Sequence, residues 1–223
     1  KITQAQIFRN NPQTSADLLA QTGAVFIQKS QLGGGSPMIR GFATNRVLLV
    51  VDGVRMNNAI YRSGNSQNII SIDPLSTQTA EVIFGPGSLI YGSDAIGGVM
   101  DFHTLDARFS KDKKMQVRGS VLSRYSTANK ENTIHADINL GWKKWSVLSS
   151  FSYSKFDDLK MGENGGQDNY LRPEYVEIVN NTDNIVQNSD PRIQRFSGYN
   201  QTNFLQKIRF KPNENWDLQY SFT

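Results

Sequence analysis

The stretch EVIFGPGSLIYGSDAIGGVMD, residues 81–101, decides how the rest of the chain is read. It sets turn formers and small residues between two apolar runs. Gly85-Pro86-Gly87 stops a strand that ends at Ile83-Phe84. Ser88 is placed to cap a short helix, Ser88 to Tyr91. Gly92, Gly97 and Gly98 allow positive φ or a close backbone approach, and Val99 opens another strand. The segment therefore reads as a compact strand–turn–helix–turn–strand unit.

The residues before it have the same mixed grammar. Ile2 to Phe8 reads as a strand. Thr14 to Gln21 reads as a short helix, with Thr14 or Ser15 as N-cap, Leu18 and Leu19 inward, and Gly23 just past the end. Val25 to Gln28 is a short strand, and Gly33-Gly34-Gly35-Ser36-Pro37 a flexible loop. Arg46 to Val51 is almost continuously apolar, as a strand buried on both faces requires. Asp52-Gly53 ends it. Asn57 to Asn68 is polar and rich in turn formers.

After about residue 111 the pattern becomes period two. Met115, Val117, Val121 and Tyr125 oppose Gln116, Arg118, Ser120 and Arg124. Ile134, Ala136, Ile138, Leu140 and Trp142 oppose His135, Asp137 and Asn139. Trp145, Val147, Phe151 and Tyr153 oppose Ser146, Ser150, Ser152 and Ser154. Phe204, Ile208 and Phe210 oppose Asn203, Lys207 and Arg209, and Trp216 to Phe222 alternates likewise. Such strands lie between an apolar and a wet environment. A soluble antiparallel sheet alternates too, but the aromatics favour a membrane. Trp142 and Trp145 flank the turn at Lys143-Lys144, and Phe210 and Trp216 flank Pro212 to Asn215. Aromatic rings beside short turns suit a headgroup boundary. The long polar segment between Phe156 and Gly198 gives long loops on one side and short turns on the other, the outer-membrane asymmetry.

Composition excludes several classes. The chain has 223 residues, a net charge of +4 and no cysteine, so disulfide and thiol chemistry are absent. Its basic residues are scattered, which argues against nucleic acid as a partner. The longest apolar run, Val47 to Val51, is far short of the roughly 20 residues of a membrane helix. A membrane-spanning form must then be a β-barrel. Gly33-Gly34-Gly35-Ser36 lacks the lysine of a phosphate loop, and two isolated histidines make a zinc site a poor reading. The acidic residues from Asp157 to Asp190 lack the ligand spacing of a calcium loop and read as solvated. No enzyme and no metal site is expected.

Together these pieces resemble the TonB-dependent outer-membrane receptors, over roughly Asn10 to Thr104 for the plug. Ser15-Ala16-Asp17-Leu18-Leu19, Ile39-Arg40-Gly41, Val50-Val51-Asp52-Gly53-Val54, Glu81-Val82-Ile83, Gly85-Pro86, Tyr91-Gly92 and Ala95-Ile96-Gly97-Gly98-Val99 stand in the family's order. The resemblance implies an α+β plug domain, a small mixed sheet with short helices, at residues 1–110. Antiparallel transmembrane β-barrel strands follow at 111–223, with an extracellular loop at about 157–197, as part of a 22-stranded barrel. Arg40 resembles an arginine that latches the plug to barrel-wall carboxylates, which here would lie beyond Thr223. The family's second arginine, just before Gly-Pro, is replaced by Phe84.

The resemblance makes Val54 to Asn68 an apical loop facing substrate. Tyr61, Arg62, Ser63, Asn65, Gln67 and Asn68 combine an aromatic, a cation, a hydroxyl and amides, a set that suits a chelate or porphyrin edge and also a plain solvated loop. The wording of this loop is nearest to haem and haemoglobin receptors. Many of those place an axial histidine where Asn65 stands, and an amide is a poor iron ligand. The implied activity is import of a scarce nutrient across a Gram-negative outer membrane, haem or another iron complex in first place. No cofactor is expected beyond haem or an iron chelate as cargo. The implied partners are a TonB-type energy-transducing protein, contacting a segment upstream of Lys1, outer-membrane lipid and a surface lipoprotein. The rivals are a binding-only receptor or adhesin, and transport of cobalamin or a siderophore-like substrate.

Overall fold

The computed structural model describes residues 1–29, 32–33, 35–43, 46–56, 69–85, 88–112, 114–162 and 171–223. It separates into two compact units. One holds residues 1–121, 135–152 and 203–223, the other 122–134 and 153–202.

In the first unit a mixed five-stranded sheet runs β1-β7-β8-β5-β6. Its strands are β1 (Ile2–Thr3), β5 (Val47–Val51), β6 (Val54–Arg55), β7 (Thr77–Phe84) and β8 (Gly98–Thr104). A small sheet, β2-β3-β4, is made by β2 (Phe26–Gln28), β3 (Ser36–Ile39) and β4 (Phe42–Ala43). In the unit at residues 81–101, β7 ends at Phe84, helix Ser88–Tyr91 is present, and β8 returns antiparallel to β7 with Ile83 opposite Val99; the expected turn at Pro86-Gly87 lies outside the described residues. A Cβ on Gly97 would lie 2.4 Å from Phe42 Cβ and one on Gly98 2.7 Å from the Ile83 carbonyl oxygen, so glycine is required for this return. β5 lies parallel to β8, Val47 opposite Gly98 through Val51 opposite Phe102. Leu48, Leu49, Val50, Val99, Met100 and Phe102 are all buried, on both faces of the sheet.

Three local expectations change. Ile2 to Phe8 is not one strand: after Thr3 the chain enters helix α1 (Gln4–Asn10), and the Thr3 N–H donates to Gln6 Oε1. That reciprocal cap outweighs the short apolar run. Helix α2 (Ser15–Ala20) starts from Thr14 as read, with Leu18 and Leu19 buried. The glycine-rich loop is tight at Gly35, where a Cβ would sit 2.8 Å from Ile27 Cγ2 and 2.9 Å from Ala16 Cβ. The segment 157–197 is not plain loop. β12 (Leu159–Lys160) pairs with β15 (Ile193–Gln194), and β13 (Glu174–Val179) forms a hairpin with β14 (Thr182–Gln187) in the second unit.

The long strands are β9 (Gln116–Ser126), β10 (Glu131–Gly141), β11 (Trp145–Phe156), β16 (Tyr199–Asn213) and β17 (Trp216–Phe222), in the order β17-β16-β11-β10-β9. Their burial is inverted. Val117, Val121, Ile134, Ile138, Phe151, Phe204, Leu218 and Tyr220 are exposed, while Glu131, Thr133, His135, Asn139, Ser146, Ser150, Ser152 and Lys207 are buried. No helix among the described residues is long and apolar enough to cross a membrane.

Candidate functional site

The apex is framed by a hairpin. Asp52 and Gly53 take φ of 48° and 81°, the left-handed pair of a two-residue turn between β5 and β6. Past the turn, the Met56 N–H donates to the Leu49 carbonyl at 2.8 Å, and Arg55 pairs with Asp94 at 2.9 Å. On the far side Ile69 and Ile72 are buried, and Ser15 Oγ donates to the Ile72 carbonyl at 2.6 Å. Both stems of the loop are thus pinned to the sheet domain. Tyr61, Arg62, Ser63, Asn65, Gln67 and Asn68 lie outside the described residues.

The polar face of the long strands packs on this domain through specific contacts. Lys207 Nζ on β16 lies 3.0 Å from Asp52 Oδ2. Ser152 Oγ on β11 donates to Asp73 Oδ2 at 2.5 Å and lies 2.7 Å from His135 Nδ1 on β10. With the one hydroxyl proton directed at the carboxylate, Nδ1 is the donor to Ser152. Asn203 Nδ2 donates to the Ser71 carbonyl at 3.1 Å. Asn139 accepts from the Arg108 N–H at 2.8 Å and donates to its carbonyl at 2.9 Å. One apolar patch, Leu105, Ala107, Leu148 and Leu205, closes the seam.

A mixed sheet domain seated on the polar face of strands whose other face is apolar is what a filled membrane barrel presents. The family description "TonB-dependent Receptor Plug Domain" matches residues 1–99. Residues 1–99 are a TonB-dependent receptor plug domain. The chain is 36% identical over 173 residues to the "Vitamin B12 transporter BtuB" of Vibrio vulnificus (strain CMCP6), covering 74% of this chain and 26% of that relative. It is 35% identical over 95 residues to a "Hemin receptor" of Yersinia pestis, covering 42% of this chain and 14% of that one. In fold it is similar to the FrpB iron transporter of Neisseria meningitidis, with a TM-score of 0.67 at 17% identity over 96% of this chain and 29% of that chain. The chain therefore spans about a quarter or less of the relatives it matches.

Within the plug, Arg40 occupies the first position of the Arg40-Gly41 turn between β3 and β4, with φ of 50°. Its guanidinium lies 5.4 Å from the centre of the Phe84 ring, a cation–π contact between the β3–β4 turn and the end of β7. His103 is exposed and lies 3.4 Å from Asp101. His135, on the wet face of β10, is fully buried: a wet-face pattern does not distinguish water from a plug. Lys207 was read only as part of a polar face and is 1% exposed. It shares that face with Asn203 and Arg209, so nothing in the local pattern singles it out. Burial, with Asp101 beside it, pushes the Tyr91 hydroxyl pKa up. No group of three or more metal-ligating side chains gathers among the described residues.

Proposed function

We propose that this chain is the plug and leading barrel wall of a TonB-dependent importer that carries haem or another iron complex across the outer membrane of a Gram-negative bacterium. The plug occupies residues 1–110 and the wall strands 111–223, with residues 157–197 outside the cell and the remaining wall supplied by the rest of a 22-stranded barrel. Cargo binds the apical loop through Tyr61, Arg62, Ser63, Asn65, Gln67 and Asn68. A TonB-type protein pulls on a segment upstream of Lys1, the plug shifts, and cargo passes to the periplasm. Nothing is catalysed: the chain moves its substrate and holds no cofactor of its own. Arg40 completes a latch with a carboxylate of the wall beyond Thr223, and a surface lipoprotein assists capture.

The observation that carries the reading is a plug-family domain seated on the buried polar face of strands whose opposite face is exposed and apolar. The relatives named for vitamin B12 and for hemin support uptake of a large metal chelate and keep cobalamin as the alternative cargo. The test is uptake of radio-iron haem and of radiolabelled cobalamin by cells expressing the full-length receptor, with and without the energy-transducing protein. Haem iron should enter only when the transducer is present, while surface binding persists without it. Binding with no uptake in either strain would establish a binding-only receptor, and energised uptake of cobalamin alone would replace the cargo.

A further inference from the structure

We propose that Lys207 and Asp52 form a latch between plug and wall with the acid on the plug and the base on the wall. Lys207 thereby positions the turn from which the apical loop springs. The proposal rests on the plug reading above and deepens it. Its polarity is the reverse of the arginine latch that Arg40 resembles.

The geometry joins three strands at one carboxylate. Asp52 ends β5, and its N–H donates to the Phe102 carbonyl of β8 at 2.8 Å. Its side chain accepts from the Thr104 N–H at 2.9 Å and from Thr104 Oγ1 at 2.5 Å, which fastens the end of β8. The remaining approach to Oδ2 is filled by Lys207 Nζ at 3.0 Å, reaching in from β16. The two ends of this pair are not equivalent. Lys207 is 1% exposed along its side chain, against 20% for Asp52. If Asp52 loses its charge, an ammonium is left in a dry seam, the costly way to break a buried pair. If Lys207 loses its charge, Asp52 keeps both Thr104 donors and some water. If both are neutral, no charge is stranded.

Position gives the latch its function. Asp52 has φ of 48° and leads through Gly53, Val54 and Arg55 to Met56, whose N–H returns to Leu49. Residues 57–68 follow directly in the sequence. Holding Asp52 against the wall therefore fixes the near stem of the proposed cargo loop. A shift of that stem pulls on Lys207, so occupancy of the apex and seating of the plug act on one ion pair.

The experiment uses the full-length receptor in its outer membrane, with Asp52→Asn, Lys207→Met, the double variant and Lys207→Arg. Asparagine tolerates the left-handed turn and can still accept from Thr104. The first readout is entry of vancomycin, a glycopeptide that a seated plug excludes. Asp52→Asn should raise susceptibility about tenfold, as coupling within a buried pair allows. Lys207→Met should raise it less, Lys207→Arg should stay near wild type, and the double variant should fall below Asp52→Asn alone. A double variant as leaky as Asp52→Asn, or four variants indistinguishable from wild type, would overturn the latch. The second readout is amide exchange at Asp52 to Met56 in the purified full-length protein. Lys207→Met should speed exchange there by about tenfold while leaving the β8 core amides protected. Unchanged exchange at the turn would remove the positioning role. Neither readout involves cargo or the energy transducer, so failure of the import reading leaves both results interpretable.

Discussion

Strands β8 and β11 bury opposite kinds of side chain. In β8, Val99, Met100 and Phe102 are fully buried and the one acid, Asp101, keeps an oxygen without a hydrogen-bond partner among the described residues. In β11, Ser146, Ser150 and Ser152 are buried, whereas Phe151 and Tyr153 are exposed. The difference lies in what each strand touches. β8 has a hydrophobic layer on both faces, so burial there removes apolar area from water. β11 has a plug on one face and, in the proposed membrane, lipid on the other. Its apolar residues face the proposed lipid, and Ser146 and Ser152 donate to the Arg108 carbonyl and to Asp73, while Ser150 Oγ has no partner among the described residues. Burial in this chain thus means two things, and substitutions of the same type should have region-specific effects.

The largest effect belongs to the plug core. Phe102→Ala removes a fully buried ring and should destabilise the plug by about 3–5 kcal/mol, read by denaturant unfolding of the full-length receptor in detergent. A loss no larger than for exposed Val121→Ala would erase the contrast between the regions.

Next is the outer face of the long strands. Ile138→Arg should cost about 2–4 kcal/mol if that position sits near the bilayer midplane, read by folding equilibria into lipid vesicles. Ile138→Lys should behave similarly, and Ile138→Leu should be near neutral. Tolerance of arginine would mean that this face meets water.

The inner face should respond to lost hydrogen bonds rather than to added charge. Asn139 is buried and holds both backbone groups of Arg108, so it is not a position where arginine is cheap. Asn139→Ala should cost about 1–3 kcal/mol, with faster amide exchange at Arg108. Unchanged exchange there would show that the seam does not depend on the clamp.

The smallest effect is in the outer segment. Lys160 and Arg192 hold the Asp190 carboxyl down, from 3.8 to about 2. A lowered folded value means that the contribution is complete above the ordinary carboxylate range and is lost as pH falls from about 4 toward about 2. Because Asp190 is solvated, the gain is slight, but proteolysis of this segment should rise across that window in wild type and not in Asp190→Asn. An identical pH profile for both would remove Asp190 from the account.

Much of the architecture was legible because its signals are local. Val47 to Val51 reads as a strand buried on both faces, and Val47 to Val50 are buried; glycines at residues 92, 97 and 98 mark where β8 turns back. The outward parity of Val117, Ile138 and Phe151 was also readable. What the pattern could not supply was long-range. Nothing near Lys207 or His135 says that the wet face is filled by a plug, because Lys207 meets Asp52 from a distant part of the chain and His135 reaches Asp73 only through Ser152. Thr3 and Gln6 did carry the capping pattern of α1, and the apolar residues around them masked it. In residues 157–197, cross-strand pairs such as Val176 opposite Ile185 organise a segment whose composition reads as loop.

The central claim, a plugged barrel crossing the outer membrane, is tested most directly by the side from which two exposed turns are reached. Asn181 is in the turn of the β13–β14 hairpin and Lys143 in the turn between β10 and β11. The 223 residues contain no cysteine, so each single-cysteine variant adds a unique label within this segment. In intact cells expressing the full-length receptor, a membrane-impermeant maleimide should label Asn181→Cys and should reach Lys143→Cys only after the outer membrane is opened. Labelling of Lys143→Cys but not Asn181→Cys in intact cells would reverse the topology, and equal labelling of both would contradict a membrane-spanning barrel.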